Sequence, residues 1–186
     1  ADTERFSPGA KGFVPFTRRP DSVVAVFAGA FRAWHGAVGL VRAIRELRGT
    51  GRRDLDAVLI GDGPELPRAK AEASGVEGIT FTGALPHDQM PACLAAADLG
   101  VAPFDVAAHP PLQMAFYWSP LKVFEYMASG LPVVAPAIPR LARILGPGHE
   151  HLLYDASAPG ALAGALARMA DQPALRRRLG EEARGR

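Results

Sequence analysis

The segment that decides the fold runs from Val23 to Ile60: VVAVFAGAFRAWHGAVGLVRAIRELRGTGRRDLDAVLI. Val23 to Ala28 is a short apolar run, rich in β-branched residues, that ends at a glycine, and this is typical of a buried strand. From Ala37 to Leu47, apolar side chains recur at helical spacing. A second apolar run follows at Ala57 to Ile60. The order of strand, helix and strand predicts a βαβ unit and therefore a parallel pair of strands.

The same alternation continues to the end of the chain. Further strands are predicted at residues 79–82, 99–103, 132–135 and 151–154, and helices at residues 66–74, 87–96, 120–129, 138–145, 158–170 and from 173 onward. This pattern predicts an α/β domain: a doubly wound, Rossmann-like parallel sheet of about six strands with helices on both faces. In such sheets, ligands bind beyond the carboxyl ends of the strands, where the strand order switches.

The length and composition fit one domain. The chain has 186 residues, of which 48% are hydrophobic and 22% charged, as in soluble globular proteins. Residues 1–22 are rich in Pro and Gly without periodicity, so we expect an irregular lead-in or interdomain segment before a domain at 23–186. The chain begins without methionine and ends inside a charged helical run, so both ends are expected to be boundaries within a longer protein.

The charge and cysteine content exclude several classes of protein. The formal charge is only +2 at a pI near 9.0, and no basic tail or stripe for nucleic acid is present. Cys93 is the only cysteine, which excludes an intramolecular disulfide and favours a reducing cytoplasm. The sequence has no run of roughly 20 apolar residues that could cross a bilayer and no signal peptide. We therefore expect a cytoplasmic domain.

The strongest functional signal is SPLKVFEYMASGLPVVAP, from Ser119 to Pro136. Ser119 suits an N-cap, Pro120 suits the first helical position, and Gly130 suits the left-handed residue just past the helix end. Local chemistry therefore predicts both ends of this helix.

This helix start is expected to bind phosphate. The amides of Leu121, Lys122 and Val123 would point out of the helix with the positive end of its dipole behind them, and Lys122 adds a full charge. A diphosphate is the natural ligand for this arrangement. Glu125, about one and a half turns further on, could accept hydrogen bonds from a ribose diol. Taken alone, it is also consistent with a solvated or ion-paired helix glutamate.

The motif SPLKVFEYMASGLPVV resembles the donor-site motif of family 4 (group 1) glycosyltransferases, which have the GT-B architecture. Other similar segments occur in the same order: TERFSPG (3–9), FAGAFRAWHG (27–36), LIGDGP (59–64), ITFTGALPHDQMPACLAAADLGVAP (79–103) and the helical AGALARMADQPALRRRLG near the end. The resemblance covers nearly the whole chain. It implies the C-terminal, donor-binding half of a GT-B fold, without the N-terminal acceptor domain.

The resemblance also implies residue roles. Glu125 matches the residue that grips the ribose, and the amides at the helix start match those that bind the diphosphate. Many relatives have another Glu eight positions earlier, associated with the transferred sugar, but Tyr117 stands there in this chain. This departure bears on which sugar is transferred and on part of the catalytic apparatus.

The loop FAGAFRAWHG is the second predicted part of the site. Gly29 permits a sharp turn near a ligand, and Gly36 opens the next helix. Relatives often carry an Arg and a Lys here that neutralise the leaving diphosphate. In this chain His35 stands where that Lys would be, and Arg32 is the candidate for the other charge. His35 is either a weaker, pH-dependent clamp or a structural cap, while Trp34 is expected to pack rather than to stack on a ligand.

Two further loops complete the predicted site. In LIGDGP, Gly61 and Gly63 would let the backbone approach a ligand or a facing domain, although an isolated GxG is a weak signal. The absence of a third glycine and of a strand-end acid argues against a dinucleotide-binding oxidoreductase. ITFTG and the following ALPHDQM resemble the family segment whose backbone borders the nucleotide base, which makes Thr82, Gly83 and Leu85 candidates for the base side, with ordinary strand-end chemistry as the alternative.

The remaining polar residues are assigned to structural roles. His87 and Asp88 are expected to begin and cap the next helix rather than to touch substrate. His109, His149 and His151 lack regular ligand spacing, so neither a metal nor another cofactor is expected. Ser119 has no GxSxG context and gives no support to a hydrolase triad.

Together these patterns and the resemblance predict a metal-independent, nucleotide-sugar-binding domain of a glycosyltransferase, and the resemblance implies that the enzyme is retaining. The expected partners are a nucleoside-diphosphate sugar and the missing N-terminal domain. Any peripheral association with a membrane is expected to occur only through that missing domain. The isolated domain is expected to be inactive. A non-catalytic nucleotide-sugar sensor is the alternative, because Tyr117 and His35 replace charged residues.

Overall fold

The predicted alternation of strands and helices is present in the computed structural model, which describes residues 1–109 and 119–186. The strands lie at Val23–Ala28 (β1), Leu55–Ile60 (β2), Ile79–Gly83 (β3), Leu99–Val101 (β4), Val133–Pro136 (β5) and Leu153–Tyr154 (β6). They form one sheet in the order β3-β2-β1-β4-β5-β6, in which every neighbouring pair is parallel. The predicted doubly wound sheet is confirmed.

The helices cover both faces of this sheet. They lie at Ala37–Gly49 (α1), Leu66–Glu72 (α2), Met90–Ala95 (α3), Leu121–Ala128 (α4), Pro139–Leu145 (α5), Ala161–Asp171 (α6) and Pro173–Arg184 (α7), with 3₁₀ turns at Ala33–His35 and Glu150–Leu152. Two helices begin three residues later than the sequence predicts: α3, which is expected to begin at His87, and α6, which is expected to begin at Ala158. Residues 87–89 instead form a turn, in which the amide of Gln89 donates to the carbonyl of Pro86 at 3.0 Å.

Alternate side chains of β1 enter two separate hydrophobic cores. Ala25 and Phe27 belong to the core beneath α1 and α6, whereas Val24 and Val26 belong to the core beneath α3, α4 and α5. All six residues of β1 are buried. A central parallel strand covered on both faces has this pattern, because successive side chains of a strand point to opposite sides.

The strand order switches beside β1, whose neighbours are β2 and β4. The loops after β1 and β4 therefore diverge and leave a crevice at the carboxyl end of the sheet. Tyr126 on α4 fixes this helix against β1, because its hydroxyl accepts a hydrogen bond from the amide of Ala28 at 2.7 Å. Its ring lies so close to Gly100 that a Cβ there would be 2.5 Å from a ring carbon. This contact positions the start of α4 at the crevice.

Residues 1–22 contain neither helix nor strand, but they pack on the domain. Phe6 is only 2% exposed and belongs to the core beneath α3 and α4. Arg184 of α7 donates to the carbonyl of Phe6 at 3.0 Å and to that of Thr3 at 3.2 Å.

Among the helices of the described residues, none has the length and apolarity that crossing a bilayer requires.

The amino end of the sheet holds a buried and well-paired cation. The guanidinium of Arg48 donates to the carbonyls of Leu55 at 2.6 Å, Arg52 at 2.9 Å and Glu77 at 3.0 Å. It also lies 3.2 Å from the carboxylate of Asp56. A buried charge is tolerated when its hydrogen-bonding groups are satisfied in this way.

Candidate functional site

A cleft of about 550 Å³ lies at the carboxyl end of the sheet, where the strand order switches. The loops after β1, β2 and β3 and the start of α4 surround it. Its volume falls in the range of small-molecule sites. The predicted site residues that line it are Gly29, His35, Gly61, Leu85, Ser119, Leu121, Lys122 and Glu125.

The other predicted residues lie near the cleft without lining it. Arg32 is exposed at the start of the 3₁₀ turn, and Val123 is fully buried in the core. Gly63 packs against the backbone of Phe31, so that a Cβ added at residue 63 would lie 2.8 Å from the backbone nitrogen of Phe31. Thr82 and Gly83 belong to β3, where the hydroxyl of Thr82 donates to the carbonyl of Gly83 at 2.9 Å. They are not among the residues at the cleft surface, and their predicted contact with a base stays a prediction.

Lys122 has a buried ammonium group at the cleft. The residue as a whole is half-buried, but its Nζ is inaccessible to solvent and has no hydrogen-bond partner among the described residues. Nζ lies 4.3 Å from the ring centroid of Phe27 and 5.3 Å from that of Phe104, so aromatic faces give it partial compensation. Burial lowers the pKa of Lys122 to about 7, against a smaller opposing effect of Glu125.

Gly29 leaves the space that Lys122 occupies. A Cβ at residue 29 would lie 2.8 Å from Nζ of Lys122, and the backbone there has a φ of 143°. Packing also requires glycine at residue 61, because a Cβ added there would lie 1.9 Å from the carbonyl oxygen of Gly29. The loops after β1 and β2 therefore touch each other. The close approach predicted for Gly61 is made to the neighbouring loop within the domain.

The start of α4 differs from the prediction. Ser119 makes no side-chain cap, Pro120 occupies the capping position, and the helix begins at Leu121. The amide of Leu121 donates to the carbonyl of Ser119 at 2.9 Å, and that of Val123 to the carbonyl of Pro120 at 2.8 Å. The expectation of three free amides was therefore wrong, because a tight turn uses two of them.

The other end of α4 matches the prediction. Gly130 has a φ of 72°, its amide donates to the carbonyl of Met127 at 2.9 Å, and the amide of Leu131 donates to that of Tyr126 at 3.0 Å. This is a Schellman motif, which favours glycine at the left-handed residue. The predicted role of Gly130 is confirmed.

His35 is held beside Lys122 in a neutral form. Its Nδ1 is hydrogen-bonded to the carbonyl of Ala30, which can only accept, so Nδ1 carries the proton. Burial, and then the charge of Lys122, lower the pKa of His35 to about 4. Near neutral pH the ring therefore adds no charge to the unliganded cleft. Arg32 is close enough to lower this pKa slightly as well.

Glu125 and His87 form a pair at the cleft that the sequence did not predict. The Nε2 atom of His87 lies 3.1 Å from Oε1 of Glu125, and both residues line the cleft. Glu125 is 8% exposed although it is charged. His87 lies in the turn before α3 rather than at the helix start that the sequence suggested. His87 and Asp88 precede an apolar run and resemble a helix-capping pattern. The sequence therefore gave no indication that His87 contacts Glu125.

The remaining predicted features are a tryptophan, a buried histidine and a tyrosine outside the described residues. Trp34 lines the cleft and is half-buried, with its ring stacked near those of Phe104 and His109, which agrees with the predicted packing. That it does not stack on a ligand stays a prediction. His149 is fully buried, 3.7 Å from Glu182. Tyr117 lies outside the described residues. Within 1–109 and 119–186, no group of three His, Cys, Asp or Glu side chains is arranged to hold a metal ion.

The sheet and this cleft lie within a stretch that a family profile recognises. The profile described as "Glycosyl transferases group 1" matches residues 22–172, which include β1, α4 and the cleft loops. The chain belongs to the group 1 glycosyltransferases. The resemblance seen in the sequence is therefore confirmed for this family.

Curated relatives of this group 1 glycosyltransferase domain are about twice its length or more. The domain is 32% identical to a D-inositol 3-phosphate glycosyltransferase of Corynebacterium glutamicum, over 98% of this chain and 44% of the relative. It is also 32% identical to a 2-deoxystreptamine glucosyltransferase of Streptomyces kanamyceticus, over 77% of this chain and 34% of the relative. The domain thus spans less than half of the length of these relatives.

Solved structures agree on the fold of this group 1 domain. The C-terminal domain of a group 1 glycosyl transferase (LpcC) from Francisella tularensis has a TM-score of 0.75 at 19% identity, over 100% of this chain and 95% of that one. Anabaena HepE, solved with UDP and glucose, has a TM-score of 0.72 at 19% identity, over 89% and 43%. The predicted C-terminal half of a GT-B fold is confirmed.

Proposed function

We propose that this domain binds a nucleoside-diphosphate sugar in its cleft and serves as the donor domain of a retaining glycosyltransferase. The observation that carries this proposal is the solvent-inaccessible ammonium of Lys122, which has no hydrogen-bond partner within the described residues. Keeping an unpaired charge in such a place costs free energy, and an anionic ligand would offset that cost. HepE, which has a similar fold, was solved with UDP and glucose, and UDP is an anion of this kind.

The diphosphate is assigned to the space beside Lys122 and Gly29. Charge-assisted hydrogen bonds from an ammonium to phosphate oxygens are roughly twice as strong as neutral ones. Because the amides of Leu121 and Val123 already donate to nearby carbonyls, the side chain of Lys122 supplies most of the attraction. The positive end of the α4 dipole adds a smaller contribution.

The nucleoside is assigned to the side of the cleft that Glu125 and Leu85 line. The carboxylate of Glu125 would accept hydrogen bonds from the ribose hydroxyls, since an ionised carboxylate only accepts. Leu85, in the turn after β3, would cover one edge of the base. Thr82 and Gly83 would shape that turn from within β3.

In the transfer step, the bond between the anomeric carbon and the diphosphate oxygen breaks, and its electron pair stays on the diphosphate. The acceptor hydroxyl attacks the same face of the sugar, and its proton passes to the leaving diphosphate oxygen. Lys122 would stabilise the departing charge, with Arg32 nearby, and we propose no metal. His35 would contribute a hydrogen bond, and also a charge once a diphosphate raises its pKa.

The acceptor is proposed to bind to a further domain of the parent enzyme. We therefore expect the isolated 186 residues to bind donors with negligible transfer. A non-catalytic nucleotide-sugar-binding module is the second candidate, and it is favoured by the neutral His35 at the position of a charged residue in many relatives. Turnover by the full-length parent against a donor panel separates the two, because a sensor would bind without transfer.

Binding of nucleotides tests the proposal directly. UDP, GDP and ADP should be compared with their monophosphates by thermal shift and calorimetry. At least one diphosphate should bind with clearly higher affinity than its monophosphate. At 100 times its dissociation constant, this ligand should add about 2.7 kcal/mol to the free energy of unfolding. Glu125→Ala should weaken binding of that diphosphate while the unliganded fold is kept. Binding of none of the three diphosphates would refute the proposed function.

A further inference from the structure

The contact between His87 and Glu125 joins an exposed side chain to a buried one. The side chain of His87 is 59% exposed, whereas that of Glu125 is 10% exposed, and their Nε2 and Oε1 atoms are 3.1 Å apart. Because an ionised carboxylate has no proton to give, His87 is the donor in this bond. Both residues line the cleft, with His87 in the turn between β3 and α3 and Glu125 on α4.

We propose that His87 is a positioning residue, which orients the carboxylate of Glu125 so that it can accept the ribose hydroxyls of the donor. This inference rests on the proposed function. With Oε1 bonded to His87, the other oxygen, Oε2, accepts no hydrogen bond from the described residues and remains available for a hydroxyl. Without His87, the flexible side chain of Glu125 would have to be ordered when the ligand binds, at a cost in affinity.

The ring of His87 is itself held in place by the lead-in segment. The rings of Phe6 and His87 meet edge to face, with centroids 5.5 Å apart and an interplanar angle of 61°. Phe6 is buried, and its carbonyl accepts a hydrogen bond from Arg184. Contacts thus run from α7 through the lead-in to His87 and on to Glu125. Because Phe6 restricts the orientation of the His87 ring, His87 is suited to orienting the carboxylate of Glu125.

A purely structural ion pair predicts different behaviour. Pairs with one exposed partner contribute little to stability, so on that view His87 variants would change nothing measurable. A positioning role instead predicts a selective loss of ribose recognition. The chain offers a conservative replacement, because His87→Gln places an amide N–H near the position of Nε2, whereas His87→Ala removes the donor.

The experiment compares affinities for ribose and deoxyribose ligands by calorimetry. UDP, GDP and ADP, each with its 2′-deoxy counterpart, are titrated into the wild type, His87→Ala, His87→Gln and His151→Ala, an exposed histidine outside the cleft. In the wild type the ribonucleotide should bind about tenfold more tightly than the deoxynucleotide. His87→Ala should lower this ratio at least threefold with little change in deoxynucleotide affinity, His87→Gln should largely restore it, and His151→Ala should match the wild type.

The contrary results are distinct for the two proposals. If the wild type discriminates ribose and His87→Ala discriminates it equally, the positioning role is overturned while the proposed function stands. An equal loss for both sugars in the Ala and Gln variants also overturns it. If the wild type binds none of the three diphosphates, the proposed function fails and the positioning role fails with it.

Discussion

The two ends of the central sheet each hold a buried cation, but in opposite circumstances. At the amino end, the guanidinium of Arg48 donates to three carbonyls and contacts Asp56. At the carboxyl end, the ammonium of Lys122 lies between the rings of Phe27 and Phe104 without a hydrogen-bond partner in the described part of the chain. The domain itself supplies the partners of Arg48, whereas the proposed function assigns the partner of Lys122 to a ligand.

This difference separates residues that stabilise the fold from residues that serve binding. A buried charge with all its hydrogen bonds satisfied can be kept for structure alone. A buried charge without them lowers the stability of the unliganded protein and is expected where an anion binds. The lowered pKa of Lys122 reflects this cost, since its neutral form avoids the desolvation that the ammonium undergoes.

The largest expected effect is that of Arg48→Met on stability. The substitution removes bonds to the carbonyls of Leu55, Arg52 and Glu77 and leaves Asp56 with fewer partners, so the free energy of unfolding should fall by about 3–5 kcal/mol. Urea denaturation measures this change. Arg48→Lys, which keeps the charge with fewer donors, should lie between the wild type and Met. A loss below about 1 kcal/mol would mean that Arg48 is no more structural than Lys122.

In contrast to Arg48→Met, Lys122→Met should lower the affinity for a ligand and not the stability of the unliganded domain. Removing the unpartnered ammonium should leave the unliganded stability unchanged or higher. The affinity for the diphosphate that the wild type selects among UDP, GDP and ADP should fall about a hundredfold, or about 2.7 kcal/mol. Calorimetry and denaturation of the same samples measure both quantities. Lys70→Met, on the exposed surface of α2, is the control and should change neither. Undiminished affinity in Lys122→Met would remove the diphosphate assignment.

The pH dependence of binding should follow the charge of Lys122. Its pKa is lowered to about 7 in the unliganded domain, and a bound diphosphate would raise it, so binding takes up a proton above pH 7. Between pH 7.5 and 8.5, where phosphate groups are fully ionised, affinity should fall by up to about tenfold per pH unit. Calorimetry in buffers of different ionisation enthalpy detects the uptake. In Lys122→Arg the guanidinium stays charged, so a falling affinity there would assign the effect elsewhere.

The smallest expected effect belongs to an exposed ion pair. Arg52 contacts Asp171 at 2.7 Å, but the side chain of Asp171 is 57% exposed and Arg52 also contacts Asp54. Asp171→Asn should lower the free energy of unfolding by less than about 1 kcal/mol. High salt should remove most of the difference. A loss comparable with that of Arg48→Met would mean that burial does not decide how much a paired charge contributes to the stability of this domain.

Several features of the site could be predicted because they depend on residues close together in sequence. The apolar run Val23–Ala28 forms β1 with the predicted bounds, and Gly130 ends α4 in the predicted left-handed conformation. Residue types and spacing predict a phosphate site at Lys122, the family resemblance adds the role of Glu125, and both residues line the cleft. Strand patterns, helix termination and family motifs are all local properties of the chain.

Other features could not be predicted in this way. Ser119 and Pro120 have the residue types of a helix start, yet a tight turn uses the amides of Leu121 and Val123. His87 and Asp88 resemble a helix cap, yet His87 lies in a turn against Glu125, 38 residues away. In both cases the backbone of a loop decided the contact, and loop conformation is set by packing as much as by residue type.

The α/β alternation, the family and the segment that holds Lys122 and Glu125 could be inferred from the amino-acid sequence, because each follows from periodicity or from the order of short motifs. The folded structure was needed to show that the ammonium of Lys122 is buried without a partner among the described residues and that His87 contacts Glu125. The reason is that burial and pairing depend on which distant segments meet. The contacts involve three separate parts of the chain, namely the lead-in with Phe6, the end of β1 with Phe27 and Gly29, and the loop with Phe104, which are brought together only when the sheet folds.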